Sequence, residues 1–206
     1  MLRIFIGYDP AEIAAYHVLS HSILTRSSQP VSITPLVLSQ LPETRRGSTE
    51  FAFSRFLVPW LCDYEGQALF MDCDILCLGD IAEVFDSQGH AVSVVKHDYR
   101  PQNETKFLGN AQLCYPRKCW SAVMLFDNSK CRELTPEYVK RASGAELHQF
   151  AWTQDIGSLD EKWQYIVGHS KTPDPKLIHF TEGGPWFPEY RGCEYSAEWF
   201  EERAAL

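Results

Sequence analysis

The sequence predicts an α/β fold in a single domain, and three observations carry that expectation. An apolar run at Leu2 to Ile6, a stretch of helical spacing from Ala11 to Leu24 and a second apolar run at Val31 to Leu38 read as strand, helix, strand. That order at that spacing opens a parallel α/β sheet. Ala68 to Met71 then forms a buried strand, announced by the turn signal Glu65-Gly66 and ending on Asp72 and Asp74. Further short apolar runs at 91–95, 120–126 and 176–180 add strands to the same sheet system.

The elements follow in order. Asp9 is placed to cap the first helix, with Pro10 at its first position and Glu12 at its third. Ile13, Tyr16, Leu19 and Ile23 make its apolar stripe, and His17 and His21, one turn apart, read as a partly buried structural pair. Pro35 suits a strand at a sheet edge or bulge. Residues 41–50 are polar and rich in turn formers. Phe51 to Leu61 reads as a short apolar helix containing Arg55, a cation that must find an anion or reach water. Asp80 caps a short helix over 81–85. Residues 102–112 form a polar loop, Pro136 to Ser143 a helix closed by Gly144, and Gln154 to Gly157 a polar turn. The acidic stretch Ser196 to Leu206 reads as a surface helix.

Composition narrows the function. The chain has 206 residues, 45% of them hydrophobic and 22% charged, which suits a soluble globular protein with a substantial core. A net charge of -8 without any Lys/Arg-rich run argues against nucleic acid or an anionic membrane as a main partner. No apolar stretch reaches the length of an integral membrane segment, and the start lacks a signal-peptide pattern. With seven cysteines and no Cys-x-x-Cys pair, the expectation is reduced thiols in a cytoplasmic protein. The 12 Phe, 9 Tyr and 6 Trp fit a carbohydrate-handling surface as well as a large core.

The chemistry centres on the acidic pair. In an extended chain Asp72 and Asp74 share a face while Cys73 points away. Two carboxylates so close repel each other, and a hard divalent ion, Mg²⁺ or Mn²⁺, relieves that repulsion while keeping positions open for phosphate. A strand end whose acids face water is the alternative. His179 could add a nitrogen ligand, which favours Mn²⁺. Gly183-Gly184 permits close approach of backbone to phosphate, and Trp186 offers a flat face for a sugar. Asp9 and Tyr8 lie at the carboxyl end of the first strand, where ligands of such sheets bind, so Asp9 is open to both capping and binding. No phosphate loop, dinucleotide fingerprint or nucleophile elbow is present.

Taken in order, Phe-Ile-Gly-Tyr-Asp (5–9), Ser-Arg-Phe (54–56), Phe-Met-Asp-Cys-Asp (70–74), Ser-Ala-Val-Met-Leu-Phe-Asp-Asn (121–128), Gln-Asp-Ile (154–156) and His-Phe-Thr-Glu-Gly-Gly-Pro-Trp (179–186) resemble the family 8 glycosyltransferases over nearly the whole chain. The resemblance implies the A-type glycosyltransferase fold, a Rossmann-like nucleotide-binding mixed sheet flanked by helices. It also implies a Mn²⁺-bound nucleotide-sugar donor, usually a UDP-sugar, and transfer with retention to a glycan or lipid-linked saccharide. In those terms about 1–130 bind the donor, and about 131–206 serve the acceptor and complete the metal site. A lipid-linked acceptor would hold a cytoplasmic enzyme at the membrane periphery.

Residue by residue, the resemblance assigns Asp72, Asp74 and His179 to the metal, Asp9 to the base with Tyr8 bordering it, and Arg55 to the donor sugar or diphosphate. Cys73, Ser121, Gly183, Gly184 and Trp186 fall in donor-binding stretches, and Gln154 and Asp155 in the catalytic turn beside the anomeric carbon. Two departures stand out. The family's Lys before Pro-Trp is replaced by Gly184, so cationic charge at the diphosphate must come from the metal, Arg55 or a loop cation such as Lys106. The first acid of the family's Asp-Gln-Asp is Thr153 here. A non-catalytic nucleotide-sugar or glycan binder and a nucleotidyltransferase are the competing readings; the latter would normally carry a Gly-rich basic loop after the first strand, which Tyr8-Asp9-Pro10 does not supply.

Overall fold

The computed structural model describes residues 1–42, 45–87, 89–101 and 103–206. Strand β1 (Leu2–Gly7) leads through a 3-10 turn into helix α1 (Ile13–Arg26), which returns the chain to β2 (Val31–Leu36). β1 pairs in parallel with β2 and with β3 (Gln67–Met71), so the predicted strand-helix-strand opening is present. Short helix α2 (Val58–Leu61) precedes β3, and β4 (Ile75–Cys77) follows it after the two acids. β5 (Val92–Val94), β6 (Val123–Asp127) and β7 (Ile156–Ser158) complete a six-stranded mixed sheet in the order β2-β1-β3-β6-β5-β7. β6 runs antiparallel to β3 and β5, while β7 lies parallel to β5. Helices α3 (Pro136–Arg141) and α4 (Gly144–His148) lie between β6 and β7. A second sheet, β4-β9-β8, uses β8 (Tyr165–Ile166) and β9 (Leu177–His179), and α5 (Ser196–Ala204) closes the chain.

The central strands are buried because both faces are covered, which explains why they read as continuous apolar runs. β2 is an edge strand, and Pro35 sits there exposed, in register opposite Ile6, where a missing N–H is tolerated. The main core joins β1, β3 and β6 to Phe51, Phe56 and the aromatic cluster at Phe150 and Trp152. A smaller core gathers Leu76, Ile178, Phe180 and Trp199 between the second sheet and α1.

Several expectations are corrected by packing. α1 buries Ala15, Val18, Leu19, Ser22 and Ile23, while Ile13 is 46% exposed, because the helix packs on β4 and α5 rather than along the expected stripe. His17 is exposed, and His21 meets Glu202 of α5 across 2.5 Å, so the two do not act as a pair. The tail helix is not a free surface element. Its Trp199 is fully buried, and its Glu202 also binds Arg26 at 2.6 Å. Phe51 to Leu61 is a turn, a 3-10 segment at Ser54–Leu57 and one α-turn, since Pro59 is accommodated at the start of a helix and not inside one. Gly144 begins α4 instead of ending α3: Ser143 and Glu146 form a reciprocal capping box around it. The turn at 154–157 runs into edge strand β7. Glu43, Thr44 and Gln102 of the two expected loops lie outside the described residues. Among the described residues no helix is long and apolar enough to cross a membrane.

Candidate active site

The site begins where β3 ends and the chain crosses from the large sheet to the small one. The Asp72 amide still pairs with the Ala122 carbonyl at 2.9 Å, and the Asp74 carbonyl already accepts from Phe180 N at 2.9 Å. The backbone is therefore held at both acids, and the alternation of an extended chain separates their side chains from Cys73. Cys73 is fully buried in the main core, so the structure withdraws its thiol from any donor. β9 pairs with β4 in a register that sets His179 opposite Ile75, and this delivers the imidazole to the acids. Ligand atoms of Asp72, Asp74 and His179 all lie within 4.8 Å of one another. His179 Nε2 stands 3.3 Å from Asp74 Oδ1, and Gln164 Nε2 approaches its Nδ1 at 3.3 Å while donating to Cys119 O at 2.8 Å.

The electrostatics of this cluster fit a cation. Asp72 Oδ1 and Asp74 Oδ1 are both closed to water and face Arg55 Nη1 at 2.8 Å and His179 Nε2 at 3.3 Å. Burial pushes the Asp72 carboxyl up to about 6 against the pull of Arg55, with Asp74 adding to the rise. Burial acts on Asp74 as well, but the charge and hydrogen bond of His179 outweigh it and hold that carboxyl below the usual range. Two carboxylates and an imidazole with unfilled oxygen lone pairs are a donor set suited to a divalent transition ion.

Positive side chains surround the acids. Arg55 Nη1 lies 2.8 Å from Asp72 Oδ1 and donates to Ser121 O at 2.8 Å. The guanidinium is wedged among Phe51 and Phe70, so the expected anion is found and the position is rigid. Lys106 and Lys118 line the same cavity, of about 150 Å³, together with Arg55, Asp72, Ser121, His148, His179 and Thr181. Lys106 reaches it on a loop that the C-terminal motif anchors. Phe107 N donates to Glu182 O at 2.9 Å, Phe107 stacks on Phe187, and Tyr99, Gln112 and Asn103 all donate to the Glu182 carboxylate. The terminal motif that lacks its lysine thus holds the loop bearing another one.

Two cavity residues, His148 and Lys118, escaped sequence reasoning, and a third group, the buried Glu12, was read only as part of a helix start. His148, at the end of α4, shares a hydrogen bond of 2.7 Å with Ser121 Oγ and is boxed by Phe56, Phe53 and Tyr115. Burial, then Arg55 and Lys118, force its imidazole down to about 3, so it is neutral. Lys118 is held below the usual ammonium value first by burial and then by Lys106. Glu12 is 2% exposed with Oε1 unpaired, and burial followed by Asp74 raises its carboxyl well above 4.5. The capping box at Ser143 to Glu146 was legible and would have placed a helix ending on His148. Nothing in the local pattern marks Lys118.

The remaining expected residues are placed elsewhere. Both Asp9 oxygens accept backbone hydrogens, from Ala11 N at 3.0 Å and Glu50 N at 3.1 Å, and Tyr8 packs edge-on against Tyr16. Gly183, Gly184 and Trp186 do not line the cavity: Trp186 packs on Phe180 and Trp199, and a Cβ on Gly184 would strike its ring at 2.0 Å. Gly184 makes room for Trp186, and Gly183 for the Tyr190 ring. Gln154 is exposed, and Asp155 binds His90 Nδ1 at 2.6 Å and Ala91 N at 2.9 Å. They precede β7, whose direction puts them at the end of the sheet where Asp127 pairs with Gln67, opposite the end that carries Asp72. The expected catalytic turn is therefore not brought to the cavity.

Comparison with known proteins agrees with this architecture. No family model matches the chain. Among solved structures, the bifunctional glycosyltransferase WbbM superposes with a TM-score of 0.69 at 15% identity, over 98% of this chain and 49% of WbbM. The chain thus spans about half the length of that protein. An active-site mutant of LgtC gives a TM-score of 0.67 at 12% identity, over 100% of this chain and 96% of LgtC. Identities this low establish the fold, which is the A-type glycosyltransferase fold. Protein CDI of Arabidopsis thaliana is 46% identical over 220 residues, covering 97% of this chain and 85% of that protein. On that identity and coverage, the chain belongs to the family of Protein CDI.

Proposed function

We propose that the protein is a metal-dependent glycosyltransferase, moving a sugar from a nucleotide sugar, a UDP-sugar, to the hydroxyl of an acceptor with retention of configuration. The observation that carries this reading is the meeting, in one cavity, of Asp72 and His179 with Arg55, Lys106 and Lys118, Asp74 completing the donor set within 4.8 Å of the first two. Acids alone would suit a cation site, and cations alone an anion site. A cavity holding both suits a diphosphate that arrives with its metal. The shared fold with the glycosyltransferases WbbM and LgtC supports the same class.

In this reading a divalent ion, Mn²⁺ or Mg²⁺, held by the three ligands would supply Lewis-acid charge to the leaving diphosphate. Lys106 and Lys118 add fixed positive charge to the diphosphate oxygens, which the missing motif lysine would otherwise provide. Arg55 holds Asp72 in place and faces the donor sugar. Ser121 and neutral His148 border the sugar side, the role that the exposed Gln154 and Asp155 are too distant to fill. Residues of about 1–130 form the donor half, and those of about 131–206 complete the metal site through His179.

The test is thermal stability with a panel of nucleoside diphosphates and nucleotide sugars, each with and without Mn²⁺. A ligand binding only the native state raises the melting point with its saturation. The expected result is a metal-dependent rise with one base, followed by turnover of the corresponding nucleotide sugar. Absence of a rise with every compound overturns the reading.

A further inference from the structure

A second hollow, of about 360 Å³, opens beside the cavity and shares Ser48, Ala52, Leu113, Tyr115 and His148 with it. We propose that this groove is the acceptor site, and that it selects acceptors whose reacting hydroxyl sits next to a flat apolar group, an aryl group above all. The inference rests on the transferase reading and adds the chemical class of the acceptor.

The wall is apolar. Phe53, Leu113, Ala52 and Ala145 line it, and Leu113 is 69% exposed. Polar partners are scarce: Ser48, Gln149, Tyr115 and His148, of which His148 is engaged with Ser121. The nearby Arg45 lies over the Phe53 ring at 4.2 Å and donates to the carbonyls of Lys140 and Ala142, so its fork is already used. A bare saccharide would leave most of its hydroxyls without partners here, which is costly, whereas an aryl group matches the lining.

The groove is also kept open. A Cβ on Gly47 would lie 2.4 Å from Ala52 Cβ and 3.2 Å from the Phe53 ring, and one on Gly144 would lie 3.4 Å from that ring. Two glycines therefore leave the edge of Phe53 uncovered. Because His148 and Tyr115 form the shared wall, a hydroxyl projecting from the groove enters the cavity beside the donor sugar. There its oxygen bonds the anomeric carbon as the bond from that carbon to the diphosphate oxygen breaks. The electron pair leaves on the diphosphate, which also takes the hydroxyl proton.

The experiment compares methyl glycosides with the matching 4-nitrophenyl glycosides, by calorimetric binding to the free protein and by transfer from the nucleotide sugar identified above with Mn²⁺. Donor hydrolysis is measured in parallel. Ala145→Glu and Gly144→Val are the variants; both alter only the groove, and Glu at the second position of a helix is well tolerated. Expected are binding and kcat/KM at least tenfold better for the aryl probes, with both variants removing that preference and leaving donor hydrolysis within twofold. Equal behaviour of methyl and aryl probes, or a preference that survives both variants, overturns the proposal. Aryl-selective binding that the variants abolish, without turnover of any nucleotide sugar, supports the groove and sinks the transferase reading instead.

Discussion

Arg55 Nη1 lies 2.8 Å from Asp72 Oδ1, with the two side chains 6% and 15% exposed. The pair joins a turn before β3 to the residue just after it, and the same guanidinium clamps Ser121 O across the cavity. It is the mechanical link between Asp72 and the Ser121 wall of the cavity.

Removing that arginine leaves a buried carboxylate beside a second one. Arg55→Met is expected to destabilise the fold by about 3–5 kcal/mol, the usual cost of breaking a buried pair from one side. Arg55→Lys should fall between, because an ammonium cannot reproduce the planar fork that spans Asp72, Ser121 and Phe51. Urea unfolding measures both.

Asp74→Asn removes one charge of the ligand set without changing shape. Mn²⁺-dependent binding of a nucleoside diphosphate should weaken by at least about tenfold, with the metal-free protein still folded but melting somewhat lower, since the ionised carboxylate next to His179 is stabilising. Unchanged affinity would refute the metal assignment.

Lys106→Ala and Lys118→Ala should each raise the Kd for a nucleoside diphosphate by roughly tenfold, since hydrogen bonds to charged groups are the stronger ones. Added salt should shrink the difference. If neither variant changes the Kd, the diphosphate is held elsewhere.

Two buried groups give stability opposite pH dependences. His148 is held down to about 3 against an ordinary 6.5 by burial, then Arg55 and Lys118. The unfolded chain takes up a proton that the folded one refuses, so its stabilisation is complete above pH 6.5 and is lost as pH falls toward 3. Glu12 is raised above 4.5 by burial and then Asp74, so its contribution is complete below that value and is lost as pH rises through the folded value. His148→Gln should flatten the acid limb of a melting-point profile, and Glu12→Gln the rise-side loss. Parallel profiles for native protein and variants would contradict the assignments.

Asp155→Asn should leave nucleotide binding and transfer unchanged, because its carboxylate is tied to His90 and Ala91 at the far end of the sheet. A large loss of turnover in that variant would return the catalytic turn to the site.

The strand, helix and acid pattern of the first 75 residues was legible because each signal is local. Asp9 caps the 3-10 turn that leads into α1 rather than α1 itself, Pro35 lies at an edge and Asp72 and Asp74 face away from Cys73, all from the geometry of neighbouring residues. Asp80 likewise caps the turn that follows. His179 was expected beside the acids through the family resemblance, and the β4–β9 register delivers it there. The misread elements failed where a local signal had two outcomes: glycine can end or begin a helix, and Gly144 begins one.

By itself the sequence determined the fold class, the acidic pair and the histidine that joins it, since these follow from periodicity, strand alternation and ordered motifs. Tertiary structure decided which cations and which histidine join them. The loop that carries Lys106 is held where Phe107 N donates to the Glu182 carbonyl, 75 positions later, and His148 meets Ser121 across 27. Such pairs have no periodic signature, because what brings them together is the burial of aromatic side chains such as Phe107 on Phe187 and Phe56 on His148. The same packing set Trp186 against the small core and left Asp155 at the end of the sheet opposite Asp72. Residue type names the chemistry a side chain can perform, and only the packed chain decides which partner it faces.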